Sequence, residues 1–328
     1  MNKFTILALV LSIFFQPQGT VMAHIWDAEH AISSEHALEI IQHQFPELNA
    51  KHIKFLDNGW NNSVYVINDE LIFRFPRRGR AVPLVAHEVY ILPKIAPLLE
   101  LQIPIPLWAG KPHADYPWQF MGYRMLPGTT ACQVDLTDAE RSALAAPLAR
   151  FLATLHAIPV LQDFRQHLPQ PTFIQVDKQV IIPKILTDLQ ELESLGLLKN
   201  KEQLYAIANE AQTLRSAQYT TLVHGDLHIR HLLLNVDRQL TGIIDWSDVH
   251  IGDPAVDISI AHSVLPPQAH ATFRKNYGEI SQETWLLARL RALCHCIAMV
   301  LYGHKVHDTN LEREGQRGLA YIAQQITV

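Results

Sequence analysis

Between Thr221 and Ser259 the chain reads TLVHGDLHIRHLLLNVDRQLTGIIDWSDVHIGDPAVDIS, and this stretch constrains the fold more than any other. Leu232 to Val236 and Leu240 to Ile244 are apolar runs around Asp237, Arg238 and Gln239, the pattern of a β-hairpin. An acid stands just outside each end. Asp226 follows the apolar run Thr221 to Val223 in a glycine-containing turn, and Asp245 ends the run Gly242 to Ile244. A hairpin brings its two ends together, so both carboxylates face one pocket, each where a strand gives way to a loop. Catalytic side chains concentrate on loops anchored in this way.

Two carboxylates so placed suit phosphoryl transfer. One orients the attacking hydroxyl and accepts its proton, and another holds Mg²⁺ against the phosphates of a nucleotide. The general kinase pattern has an Asp, four residues, a metal-binding Asn and then a downstream Asp. Here His231 stands at the asparagine's spacing from Asp226, and the downstream acid is Asp245 in Ile-Asp-Trp.

At 328 residues and 48% hydrophobic, the chain buries a sizeable core and is long enough for two lobes. A net charge of -5 leaves no basic footprint for nucleic acid. The 18 histidines are scattered. Cys132, Cys294 and Cys296 form neither a CxxC pair nor a disulfide framework and read as small buried apolar residues.

Residues 1–23 have the form of a signal peptide: Lys3, an apolar run Phe4 to Phe15, and Val21-Met22-Ala23 as a small-residue cleavage site. The run is too short to span a membrane as a helix, so no membrane partner is expected. A nucleotide-dependent enzyme needs a triphosphate whose usual supply is cytoplasmic. The expectation is therefore a cytoplasmic chain starting at or near Met22, with export through the leader as the alternative.

Downstream, a helix is expected over Ser34 to Phe45, capped by Ser33, with Ala37, Leu38, Ile41 and Phe45 on one face. Three hairpin-linked strands follow at His52 to Leu56, Ser63 to Ile67 and Glu70 to Phe75. The loop Asn58-Gly59-Trp60-Asn61-Asn62-Ser63 offers backbone amides to phosphates, although with a single glycine an ordinary hairpin turn is the default reading. Arg74 lies opposite Phe73 and Phe75 on the third strand and either reaches phosphate or is simply exposed. The next helix, Leu84 to Leu99, has Val85, Val89, Leu92 and Ile95 as its buried stripe and Pro93 as a kink. Glu88 on that helix is the natural partner for Arg74, or else a solvated glutamate. Strands at Ile103 to Trp108 and Trp118 to Met125 lead to Leu126-Pro127-Gly128, where the lobes divide into 24–126 and 127–328. Beyond it, Thr137 and Glu140 form a capping box for a helix that Pro147 bends on its way to His156. Helices dominate Val160 to Ser216 and the tail, including Trp285 to Val300.

With these motifs in place, the chain resembles the superfamily of aminoglycoside phosphotransferases and choline kinase-like enzymes. The resemblance rests on His224-Gly225-Asp226-Leu227-His228, Ile244-Asp245-Trp246 and Gly252-Asp253-Pro254-Ala255-Val256-Asp257, in that order. Gly59-Trp60-Asn61-Asn62 with Phe73-Arg74-Phe75-Pro76 is most similar to the branch of aminoglycoside 2″-phosphotransferases and macrolide phosphotransferases. It covers about residues 50–265. It implies an α+β, bilobal protein kinase-like fold, with a small antiparallel-sheet N-lobe and a mostly helical C-lobe. It also implies a kinase that moves the γ-phosphate of ATP or GTP, with Mg²⁺, to a hydroxyl of a small-molecule acceptor such as an antibiotic. By resemblance Asp226 is the catalytic base and Asp245 the main metal ligand, while His224 and Asp257 brace the catalytic loop. Gly59, Asn61, Asn62, Ser63, Arg74 and Glu88 make the nucleotide side. Arg74 replaces the family's usual lysine. His231 replaces its metal-binding asparagine and is either a metal ligand or a structural hydrogen-bonding residue. An acidic tail of Asp308, Glu312 and Glu314 points to cationic acceptors, unless these acids are merely solvated.

Two other readings stay open. On a strand, His224, Asp226 and His228 share a face and, with His231, would hold a transition metal for a secreted hydrolase. Alternatively, the departures at Arg74 and His231 mark a kinase-like nucleotide-binding module without turnover.

Overall fold

The computed structural model describes residues 28–59, 61–113, 115–168 and 176–325. The leader, Met22 and Trp60 lie outside the described residues. The chain divides into two compact units. One runs to Val82 and includes Gly110–Gly122, and the other comprises Pro83–Ala109 and the residues from Tyr123 onward.

In the first unit, helix α1 (Ser34–Gln44) starts where the Ser33 side chain accepts a hydrogen bond from His36 N at 3.2 Å. Its buried face is Ala37, Ile40 and Ile41; Leu38 is only half-buried. Strands β1 (Ile53–Asn58), β2 (Asn62–Ile67) and β3 (Leu71–Pro76) form the expected antiparallel meander, with Val64 opposite Arg74. The β2–β3 turn places Asn68 and Asp69 at φ 52° and 59°, the left-handed pair that tight hairpins use and that Asn and Asp tolerate. Strands β4 (Trp108–Gly110) and β5 (Phe120–Arg124), through which the division between units passes, extend the sheet to the order β1-β2-β3-β5-β4. Phe73, Phe75 and Phe120 are fully buried, and the rings of Phe75 and Phe120 stack at 4.4 Å between centroids. Every residue of β3 is buried, Arg74 included at 6% exposure. An exposed Arg74 is thereby excluded.

The second unit is mainly helical. Helix α2 (Val82–Ile95) contributes all but its first residue to it and buries Val85, Glu88, Ile91, Leu92 and Ile95. The buried stripe passes through Glu88 and not Val89, so the glutamate is not a solvated one. The strand expected from Ile103 starts only at Trp108, because Pro104 and Pro106 lack the amide hydrogens a ladder needs. Gln102 instead pairs with the later hairpin, donating to Thr241 O at 3.0 Å and accepting from Ile243 N at 2.8 Å. After the two-residue strand β6 (Thr129–Thr130), the Thr137 capping box starts α3 (Asp138–Ala143), with Thr137 N 2.8 Å from Glu140 Oε2. The helix expected to bend at Pro147 is two helices. It breaks at Leu144, and Pro147 sits in the first turn of α4 (Ala145–Ala157), where a missing N–H is no loss.

Helices α5 (Gln162–His167), α6 (Lys178–Ser194) and α7 (Lys201–Glu210) come next, and the hairpin region follows. Strand β7 (Thr221–Val223) pairs with β10 (His250–Gly252), and β8 (Leu232–Leu234) pairs with β9 (Leu240–Ile243) through a turn with Arg238 at φ 59°. Helices α8 (Ala255–Val264), α9 (His270–Tyr277), α10 (Gln282–Val306) and α11 (Thr309–Ala323) complete the unit. Helix α10 is buried nearly all round, as a central core helix must be, so Cys294 and Cys296 are both buried despite pointing apart.

Candidate active site

The chain leaves β7 at Val223 and turns sharply. Gly225 has φ 91°, and a Cβ there would lie 2.9 Å from the Asp248 carbonyl carbon and closer still to its oxygen. Only glycine fits this position. Asp257, in the first turn of α8, ties the turn from beneath: its Oδ2 accepts from His224 N at 2.7 Å and its Oδ1 from Gly225 N at 3.0 Å. His156 Nε2 lies 3.2 Å from the same Oδ2. Burial pushes the Asp257 carboxyl up, but His156 and the bound backbone amide outweigh it and hold the group below its ordinary value.

His224 is spent inside this turn. Its Nδ1 accepts from Asp226 N at 3.3 Å and its Nε2 faces Ile244 O at 3.1 Å, so both ring nitrogens are engaged. The hydrolase triad of His224, Asp226 and His228 therefore does not form. The strand ends at Val223, before all three residues, so the alternation that would align them is absent.

The turn presents Asp226. Its Oδ2 lies 3.6 Å from His228 Nε2, and its Oδ1 lies 3.7 Å from Arg291 Nη2 and 3.9 Å from His295 Nδ1. Burial raises the Asp226 carboxyl, but the neighbouring His228 and His295 imidazoles prevail and hold it well below the usual range. The side chain keeps 33% exposure, so solvent softens the burial cost and the carboxylate form is the stable one.

His231 joins the two ends of the hairpin. Its Nδ1 lies 2.8 Å from the Asp226 carbonyl oxygen, and its Nε2 lies 3.5 Å from Asp245 Oδ2. A carbonyl only accepts, so Nδ1 carries the hydrogen and Nε2 presents its lone pair toward Asp245. Burial and the His228 charge push this imidazole down to about 4. Asp245 has φ 62°, an uncommon conformation for a residue other than glycine, and its side chain is 45% exposed. Trp246, fully buried behind it, donates to Ile243 O at 3.1 Å and anchors this corner. Ser247 Oγ lies 3.0 Å from Asp245 Oδ1 and 3.4 Å from Glu88 Oε1, which brings the buried glutamate of α2 to the same site.

The other candidates lie in the first unit. Gly59 N donates to Asn62 O at 2.9 Å, Ser63 Oγ donates to Asn58 Oδ1 at 2.8 Å, and Arg77 N donates to Asn61 O at 2.8 Å. Arg77 also reaches Gly59 O from its side chain at 3.0 Å. Gly59 N–H is thus used within the turn. Asn62 is 3% exposed, and its Oδ1 is buried without a hydrogen-bond partner.

Several residues around Asp226 are absent from the sequence reading. Arg291 and His295 reach it from α10, and Ser247 reaches Asp245. The signal in the sequence was a polar pair four residues apart within the apolar run Trp285–Val300, which places both on one face of the helix. The acids of the tail, meanwhile, have partners within the fold. Glu314 is buried against Arg141 at 2.6 Å, Asp308 caps α11 by accepting from Leu311 N at 3.0 Å, and Glu312 lies 3.5 Å from His304.

Comparison with known proteins gives the family and the fold. Viomycin phosphotransferase of Streptomyces vinaceus is 28% identical over 199 residues, which span 59% of this chain and 67% of that one. The GDP and kanamycin complex of APH(2″)-IIIa superposes with a TM-score of 0.63 at 25% identity, covering 89% of this chain and 99% of that one. A macrolide 2′-phosphotransferase of type I shares the fold, with a TM-score of 0.55 at 17% identity over 91% and 99% of the two chains. These neighbours bear out the α+β, kinase-like architecture. The sequence model of the phosphotransferase enzyme family matches residues 52–293, and the chain belongs to that family.

Proposed function

We propose that this protein transfers the γ-phosphate of ATP or GTP to a hydroxyl of an antibiotic-like small molecule, an aminoglycoside or a macrolide. The observation that carries the reading is the link through His231, whose ring lies 2.8 Å from the backbone carbonyl of Asp226 and 3.5 Å from the carboxylate of Asp245. One acid at the acceptor hydroxyl and another at the nucleotide phosphates is the division of labour phosphoryl transfer requires.

Asp226 orients the acceptor hydroxyl and takes its proton on a carboxylate oxygen. A carboxylate held low is a weak base, which suits a transition state with little bond formation to the nucleophile. Asp257 keeps the turn in register by binding two of its backbone amides. Asp245 and the Nε2 of His231 would hold Mg²⁺, whose role when bound is to neutralise charge on the phosphates. The donor set fits in part: the half-exposed Asp245 carboxylate is the oxygen ligand Mg²⁺ prefers, whereas the His231 lone pair is of the kind that transition metals take more readily. Glu88, Arg74 and the turn around Gly59, Asn61, Asn62 and Ser63 are assigned to the nucleotide by the resemblance. The solved neighbours named with GDP and kanamycin support a nucleotide co-substrate and an antibiotic acceptor.

The test is release of nucleoside diphosphate with ATP and with GTP, against a panel including kanamycin, gentamicin, viomycin and a macrolide. Acceptor-dependent release that disappears in Asp226→Asn supports the reading. Nucleotide binding without turnover on any acceptor would instead make the protein a binding module.

A further inference from the structure

His228, His295 and Asp226 form a second cluster beside the His231–Asp245 pair, the rings of His228 and His231 lying 3.9 Å apart. One ligating atom from each of the three lies within 4.8 Å of the others. The imidazole rings of His228 and His295 are 4.8 Å apart, and Asp226 offers both oxygens, at 3.6 Å from His228 Nε2 and 3.9 Å from His295 Nδ1. The ligands come from independent elements, two from the turn after β7 and one from α10, so the fold and not one local motif assembles them. We propose that Asp226, His228 and His295 form a binding site for a transition-metal dication such as Zn²⁺, and that its capture there blocks the acceptor side of the active site.

The donor set argues for the metal class. Two imidazoles and one carboxylate with an open fourth position match zinc, whereas Mg²⁺ takes oxygens. At zinc bond lengths, tetrahedral ligands sit roughly 3.4 Å apart, so the gaps close by modest side-chain rotations. The Asp226 side chain is 33% exposed, so solvent reaches the cluster. Two groups oppose the ion. Arg291 Nη2 approaches Asp226 Oδ1 at 3.7 Å, too far for a hydrogen bond, and it leaves Oδ2 open to the metal. His228 Nδ1 accepts from Arg230 N at 3.4 Å; ligation through Nε2 moves the ring hydrogen to Nδ1 and gives up that long contact. A metal–imidazole bond outweighs it.

The binding claim stands apart from the proposed function, and only the inhibition rests on it. Zn²⁺ is titrated into the nucleotide-free protein by calorimetry, and the visible spectrum of Co²⁺ is recorded on the same protein. One ion per chain with a four-coordinate Co²⁺ spectrum is expected. Loss of an outer-shell partner already costs metal sites 10–100-fold in affinity, so His295→Ala should weaken Zn²⁺ by at least about 100-fold, and His295→Gln similarly. His231→Ala, which keeps all three ligands and removes only a neighbour of two of them, should weaken Zn²⁺ less than His295→Ala does. No binding in the parent protein, or binding lost with His231→Ala but kept with His295→Ala, overturns the site. The parent's six-coordinate Co²⁺ spectrum would do the same without any variant. Zn²⁺ should also inhibit turnover competitively with acceptor, with His295→Ala less sensitive relative to its own metal-free rate. Binding without that inhibition keeps the site and overturns the blockade, and absence of turnover on every acceptor strikes the proposed function alone.

Discussion

Asp226 is held by three neighbours, His228, Arg291 and His295, at 3.6 to 3.9 Å, so its replacement by the isosteric amide changes charge and basicity with little change in shape. Asp226→Asn should lower turnover by about 100- to 10,000-fold while leaving nucleotide affinity within experimental error, measured by steady-state kinetics and calorimetry. Unchanged turnover would remove Asp226 from the chemistry. A second residue sets a pH limit. His262 is fully buried, with Nε2 3.1 Å from Trp285 O, and burial together with the His270 charge pushes it from 6.5 down to about 3. Its folded value is depressed, so between 6.5 and about 3 the unfolded chain takes up a proton that the folded chain refuses, and stability falls as pH drops through that window. The melting temperature should decline below pH 6.5, with a shallower slope in His262→Gln; parallel slopes would refute the assignment. At this scale the acids were legible because each stood at the end of an apolar run. His295 and Arg291 were not, because their distance from Asp226 in sequence hides a contact that only the packing of α10 creates.

Elements were legible where local chemistry dominates. The Ser33 cap, the Thr137 capping box and the 232–243 hairpin all rest on residues within a few positions of one another. The errors came where prolines or burial overrode periodicity. Pro104 and Pro106 removed a strand, Leu144 broke a helix that was read as bent, and the buried Glu88 displaced Val89 from the stripe of α2. The α10–α11 pair shows why a fully buried helix carries no amphipathic signal: its partner approaches over glycines. A Cβ on Gly318 would come 2.9 Å from Ser263 O and closer still to Cys296 Sγ. Gly318→Ala should gain helix propensity but overpack this seam, for a net loss of about 1–3 kcal/mol. Chemical denaturation measures it, and a variant as stable as the parent would show that the seam relaxes.

For the molecule as a whole, composition excluded little beyond nucleic-acid binding, and the class of reaction came from three short motifs spread over residues 224–257. The comparisons bear out what those motifs implied about family and fold, whereas the acceptor is set by a surface that no motif encodes. The acidic tail illustrates this: its acids are taken up by Arg141, by the α11 cap and by His304, so net charge says nothing of acceptor charge. Nucleotide binding can nevertheless be read on the whole chain without knowing the acceptor. A ligand that binds only the folded state stabilises it by about 2.7 kcal/mol at a hundred times its dissociation constant. Mg²⁺ and nucleotide together should therefore raise the melting temperature by more than nucleotide alone. Asp245 is the half-exposed oxygen donor beside the His231 lone pair, so Asp245→Ala should abolish the Mg²⁺-dependent part of that rise and keep the part due to nucleotide alone. If the Mg²⁺-dependent part survives in Asp245→Ala and is lost in Glu88→Ala, the metal is held on the α2 side of the Ser247 hydroxyl instead.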